Sequence, residues 1–139
     1  MTAERSVRLD YVYEPTWDRT EFRWLDTEEV CPESADITGY GRVLIVSPPR
    51  EFSAGRWRFT VAFELCPDAG RYPYAVVVGN QSGASREDLQ ASGAGLYEVS
   101  VERTLEAVAP LEVHLKITRA AFHGELRLLG MTVERLGDP

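Results

Sequence analysis

Residues 55–65, Gly-Arg-Trp-Arg-Phe-Thr-Val-Ala-Phe-Glu-Leu, place Trp57, Phe59, Val61, Phe63 and Leu65 on one phase and Arg56, Arg58, Thr60, Ala62 and Glu64 on the other. Successive side chains of a strand point to opposite faces, so a period of two predicts a strand with one face in a core. Val7, Leu9, Tyr11 and Tyr13 predict an earlier strand of the same kind, and Phe22 and Trp24 a short one. The same alternation recurs at Tyr97, Val99 and Val101, and at Leu111, Val113, Leu115 and Ile117. Residues 43–46 and 75–78 are continuous apolar runs, suited to strands covered on both faces. Pro48-Pro49 ends the first run, because proline has no N–H for a ladder. Near the end of the chain Leu126 and Leu128 give way to Met131 and Val133. That change of phase at Leu129-Gly130 predicts a β-bulge, since one extra residue flips the faces that follow.

Between these runs the pattern breaks. Residues 26–41 contain Pro32, Gly39, Gly41 and five carboxylates and predict a long loop. Cys66-Pro67-Asp68-Ala69-Gly70 predicts a turn, and residues 121–124 a hairpin turn. Residues 79–95 are rich in Gly, Ser, Ala and Gln and predict an irregular connection. Within it Ser85, three residues before Asp88, is placed to cap one helical turn over 86–91. Many strands without a repeat or helical crossover predict an all-β fold: a two-sheet antiparallel β-sandwich of jelly-roll type, with about eight strands and at most one short helix. An immunoglobulin-like sandwich is the alternative, but Cys66 follows Trp57 by only nine residues, too close for that arrangement. Residues 1–139 are expected to form one domain.

Composition narrows the function more than the fold. Hydrophobic residues make up 44% and charged residues 27% of 139, as in a globular chain. The net charge of −7 and a single lysine, Lys116, argue against a nucleic-acid partner, which calls for clustered cations. No apolar run approaches the ~20 residues of a membrane span, and the N-terminus has no apolar signal region. The protein is therefore expected to be cytoplasmic, or cut from a longer one, with no membrane partner. Cys31 and Cys66 lack Cys-x-x-Cys spacing and are expected as unpaired thiols.

One stretch goes further. Ser53-Ala-Gly-Arg-Trp-Arg-Phe-Thr-Val61, preceded by Gly39-Tyr-Gly41 and Pro48-Pro49, resembles a recurrent element of carbohydrate-binding-module-like β-sandwich domains, where a Gly-Arg-Tyr/Trp turn opens a central strand. Residues 111–117 and 124–136 are similar to the closing strands of those domains, so the resemblance covers about residues 39–136. Such modules recur in bacterial proteins beside glycosyltransferases, methyltransferases and glycoside hydrolases. The resemblance implies a non-catalytic role, in sugar binding or packing. Calcium-stabilised members place an acidic residue in the last strand where this chain has Gly130, so it implies no structural calcium. The carboxylates Asp26, Glu28, Glu29, Glu33 and Asp36 also lack an Asp-x-Asp-x-Asp-Gly loop, and no metal or other cofactor is expected.

Catalytic signatures are absent. There is no His-x-His, no Gly-x-Ser-x-Gly elbow, no Gly-x-Gly-x-x-Gly loop and no Walker lysine. Sugar recognition needs flat aromatic faces against ring C–H groups and planar polar side chains at the hydroxyls. The candidates are Trp17, then Tyr72 and Tyr74 beside Arg71, then Asn80 and Gln81. Tyr72 and Tyr74, separated by Pro73, would point the same way from an extended segment and form a stacking platform. The expected partner is thus an oligosaccharide, a bacterial glycan or glycan precursor. The alternative is a homo-oligomer or protein partner; a small enzyme ranks below both.

Overall fold

The computed structural model describes residues 17–139; the strand expected over residues 7–13 lies outside them. Among the described residues the alternating segments become eleven strands. They are β1 (Arg23–Trp24), β2 (Glu29–Val30), β3 (Ala35–Asp36), β4 (Arg42–Val46), β5 (Arg50–Phe52), β6 (Gly55–Leu65), β7 (Pro73–Asn80), β8 (Gly83–Gln90), β9 (Gly95–Leu105), β10 (Ala109–Ile117) and β11 (Glu125–Gly137). That is more than the eight or so expected, and four of them are short: β1, β2, β3 and β5 are only two or three residues long. Two of them, β2 and β3, interrupt the long loop expected over 26–41.

The strands form two antiparallel sheets packed face to face, a β-sandwich of jelly-roll type. One sheet runs β2-β1-β4-β10-β7-β8, with β5 added to β10; the other runs β3-β11-β6-β9. In β6 burial alternates without interruption from Gly55 to Leu65, as the sequence pattern requires. Trp57, Phe59, Val61, Phe63 and Leu65 face the opposite sheet, where Tyr74, Val76, Val78, Leu111, Val113, Leu115 and Ile117 meet them. Phe52 wedges between Trp17, Trp57 and Phe59 at ring separations of 5.6, 5.1 and 5.4 Å, edge-on to the last two. The predicted bulge is present: Leu128 pairs with Phe63 and Gly130 with Ala62, leaving Leu129 extra. Beyond it Met131 and Val133 are restored to positions opposite Val61 and Phe59.

One segment departs from the reading of its sequence. Residues 86–91 form no helical turn. Residues 86–90 belong to β8, which pairs with β7 from Asn80↔Gly83 to Pro73↔Gln90 around the two-residue tip Gln81-Ser82. β8 is a sheet edge, exposed over most of its length, so it has little apolar face to reveal it. Asp88 does not engage a capped helix; its Oδ1 accepts from Nε and Nη2 of Arg86 at 3.0 and 2.8 Å.

Candidate functional site

The outward face of the larger sheet carries a concave surface. Along β10 the inward residues Leu111, Val113, Leu115 and Ile117 are buried, while Glu112, His114 and Lys116 alternate with them and are half-exposed. Register sets their neighbours: Glu112 lies opposite Gly79, His114 opposite Val77, and Lys116 opposite Ala75. Gly79 in turn lies opposite Ala84 of β8. A Cβ on Gly79 would collide with the Gly83 carbonyl and come within 2.6 Å of the Ala84 Cα, so only glycine lets the hairpin approach this closely.

Beside Glu112 the face opens into a cleft of about 750 Å³. Val77, Val108, Pro49 and Pro110 give it apolar walls; Asn80, Gln81, Ser82, Glu112 and His114 give it polar groups. Asn80 holds the two sides together. Its Nδ2 donates to the Pro110 carbonyl at 2.8 Å, and its Oδ1 accepts from the Ser82 N–H at 2.8 Å. One amide hydrogen and one lone pair remain for a ligand. Gln81 is exposed at the hairpin tip, and His114 Nε2 lies 2.8 Å from Glu112 Oε1. Glu112 is the sole carboxylate among the described residues lining the cleft. Glycoside hydrolysis ordinarily requires two.

The expected aromatic platform does not form. Tyr74 is 0% exposed, and its hydroxyl donates to the Ala69 carbonyl at 2.7 Å. It shares the inward phase of Val76 and Val78, so the core takes it. Burial pushes its phenol pKa far above the ordinary value. Trp17, 4% exposed, is also core, tilted against Phe52 with Nε1 donating to the Pro48 carbonyl at 2.7 Å. Tyr72 is half-buried and Arg71 exposed, but both precede β7, whereas Asn80 ends it, about 25 Å away along the strand. Asn80 and Gln81 therefore meet in the cleft, and Arg71 and Tyr72 do not join them.

At the Arg71 end the structure exposes two aromatics that the sequence reading passed over. Tyr40 is 77% exposed and Phe122 89%. They flank the isolated bridge of Gly39 with Ala121, closed by hydrogen bonds of 3.0 and 2.7 Å. The Phe122 N–H donates to the Tyr72 hydroxyl at 3.1 Å. Each aromatic interrupts a loop of small and polar residues, a signal that was present in Gly39-Tyr40-Gly41 and Ala121-Phe122-His123.

The carboxylate-rich loop gathers no metal site: among the described residues no three His, Cys, Asp or Glu side chains converge. Asp26 instead receives the Arg42 fork, Nε to Oδ1 at 2.9 Å and Nη2 to Oδ2 at 2.6 Å, which holds its carboxyl below the usual range. Asp36 accepts from the N–H and hydroxyl of Thr38 and is lowered likewise. Cys31 is buried and Cys66 half-buried, both as free thiols.

No family model matches the sequence, and no curated protein matches it. Among solved structures, the chain is similar to carbohydrate-binding modules. One is TmCBM61 in complex with β-1,4-galactotriose, at 13% identity over 74% of this chain and 65% of that one, with a TM-score of 0.46. Another is CBM28, a module specific for non-crystalline cellulose, at 12% identity over 87% and 97%, with a TM-score of 0.48. A family two carbohydrate esterase from Clostridium thermocellum, in complex with cellohexaose, shares 16% identity over 90% of this chain and 34% of that one, with a TM-score of 0.46. At these identities and scores the likeness is one of general sandwich architecture, shared by binding modules and an esterase alike. Function is therefore argued from the cleft.

Proposed function

We propose that this chain is a non-catalytic module that binds an oligosaccharide across the outer face of the larger sheet. The observation that carries the reading is the cleft itself, where Asn80, Gln81, Glu112 and His114 converge over Val77, Val108 and Pro110. Apolar walls suit the C–H faces of sugar rings, and planar amide, carboxylate and imidazole groups suit their hydroxyls. A single carboxylate, already engaged with an imidazole, supports binding over hydrolysis. Hydroxyls are well solvated in water, so each hydrogen bond adds only ~0.5–1.5 kcal/mol net. Binding is then weak, with Kd in the range of about 1 mM to 1 μM.

NMR titration with a panel of short oligosaccharides tests this. The expected result is amide shifts confined to residues 79–84 and 108–114, weakened by Gln81→Ala. Absence of shifts with every sugar refutes it. Shifts centred on Phe122 and Tyr40 would move the site to the opposite end. Those two exposed aromatics also support a second reading, association with a protein partner or another copy of the chain. A stable dimer by sedimentation, lost in Phe122→Ser, together with no response to sugars, would establish that reading instead.

A further inference from the structure

Beside the cleft, on the same outer face, a second hollow of about 500 Å³ opens among Arg42, Val43, Arg86, Lys116 and Thr118. Among the described residues Arg42, Arg86 and Lys116 line it and no carboxylate does. Its position follows from register. Lys116 is the next outward residue of β10 after His114, about 7 Å further along the strand. Across the ladders it lies opposite Val43 on one side and Ala75 on the other, and Ala75 lies opposite Asp88. Both immediate neighbours are apolar. The carboxylate on that row is two strands away, about 10 Å.

The three cations are not equivalent. Arg42 is committed to Asp26 and to the carbonyls of Thr38 and Tyr40. Arg86 rests its Nε and Nη2 on Asp88, leaving Nη1. Those carboxylates orient the two arginines and neutralise most of their charge. Lys116 makes no ion pair with any described residue, although it is half-buried. It is the sole lysine of a chain whose net charge is −7. A half-buried ammonium above apolar neighbours, with no counter-ion among the described residues, is a charge left open to a ligand.

We propose that this hollow receives a carboxylate, with Lys116 as counter-ion and Arg86 as a hydrogen-bond donor, so that the glycan recognised is an acidic one carrying uronic acid. This rests on the glycan reading of the adjoining cleft, which would hold the neighbouring sugar residues. The spacing suits it, because the step from His114 to Lys116 is on the scale of one sugar ring. It also gives Lys116 a role that packing does not supply.

Calorimetric titration of the full chain with cellotriose and with cellotriuronate, its counterpart carboxylated at C6, separates the two readings. The expected result at low salt is about tenfold tighter binding of cellotriuronate, with the advantage shrinking as ionic strength rises. Lys116→Gln should remove the advantage and leave cellotriose binding unchanged; Arg86→Gln should reduce it. Both side chains reach the surface, and an unchanged amide spectrum confirms the fold of each variant. Equal affinities, or an advantage that survives Lys116→Gln, overturn the inference and leave the cleft reading intact. Cellotriuronate bound through Lys116 while cellotriose does not bind supports the inference and removes the neutral contacts. Binding of neither ligand overturns both. Free acetate matching cellotriuronate at equal concentration would reduce the hollow to a general anion site and overturn the glycan assignment.

Discussion

At the residue scale, phase decides what a side chain does more than its type. Tyr74 looks like a loop aromatic beside Arg71 and Tyr72, yet it is the first inward residue of a run continued by Val76 and Val78. Pro73 disguises that phase because it reads as a turn residue, while at the start of a strand it is tolerated. Once buried, the hydroxyl must find a partner, and the Ala69 carbonyl supplies one. Tyr74→Phe leaves that carbonyl only the longer bond from the Tyr72 N–H, at 3.3 Å, and should lower stability by ~0.5–1.5 kcal/mol, read as a reduced urea midpoint. An unchanged midpoint would mean water replaces the phenol. Where phase was unbroken the sequence sufficed. Phe59 is fully buried in β6 and its neighbour Arg58 lies outside, bridged to Glu102 and Glu134. Phe59→Ala should cost ~3–5 kcal/mol. Arg58→Ala should cost far less, as surface ion pairs contribute little. Comparable losses from the two would contradict the packing.

At the element scale, legibility follows burial. Strands with one face in the core announced themselves, and so did the bulge at Leu129, because a displaced residue moves Met131 and Val133 to the other phase. β8 was invisible for the converse reason: an edge strand owes its place to backbone pairing with β7, and its side chains, apart from Leu89, contribute little to the core. The short strands β2 and β3 are equally silent, held in a loop by two-residue pairings. A different device ends β4. Ser47 N–H donates to the Val113 carbonyl, and the Val113 N–H returns to the Ser47 hydroxyl at 2.8 Å. The side chain extends the ladder by one acceptor where Pro48 and Pro49 stop the backbone from doing so. For the cleft the decisive element is the β7–β8 hairpin, and Gly79 governs its approach. Gly79→Val must push β8 away from β7, costing ~1–3 kcal/mol by overpacking. It should also open the Asn80 clamp on Pro110. Chemical shift changes along residues 80–90, with loss of the sugar response of residues 79–84, are the expected readout; a variant as stable and as responsive as the parent would show that the close approach at Gly79 is not what shapes the cleft.

At the scale of the whole molecule, charge is uneven in a way that net composition does not disclose. Carboxylates collect in residues 26–36, while Lys116 and Arg86 share the outer face of one sheet with Arg42 at its rim; the sequence lists both sets but not which strands bring them together. Arg42 joins the two regions. Its fork grips Asp26, and its remaining donors reach the carbonyls of Thr38 and Tyr40, so one side chain pins the acidic loop to the start of β4. The Asp26 carboxyl is lowered chiefly by its hydrogen bonds with Arg42 and further by that cation's charge. Asp36 is lowered mainly by the Thr38 hydroxyl and N–H. A carboxyl whose pKa is lower folded than unfolded stabilises the protein above its unfolded value, about 4. That contribution is lost as pH falls through the folded value. Stability should therefore be level from pH 7 to about 5 and decline through pH 4 and below, as the unfolded chain takes up protons first. Asp26→Asn removes one of the two linked groups. It should lower the urea midpoint at pH 7, have less effect at pH 3, and flatten the curve between. A variant curve parallel to the parent's would mean that the Arg42–Asp26 pair does not couple this loop to the fold.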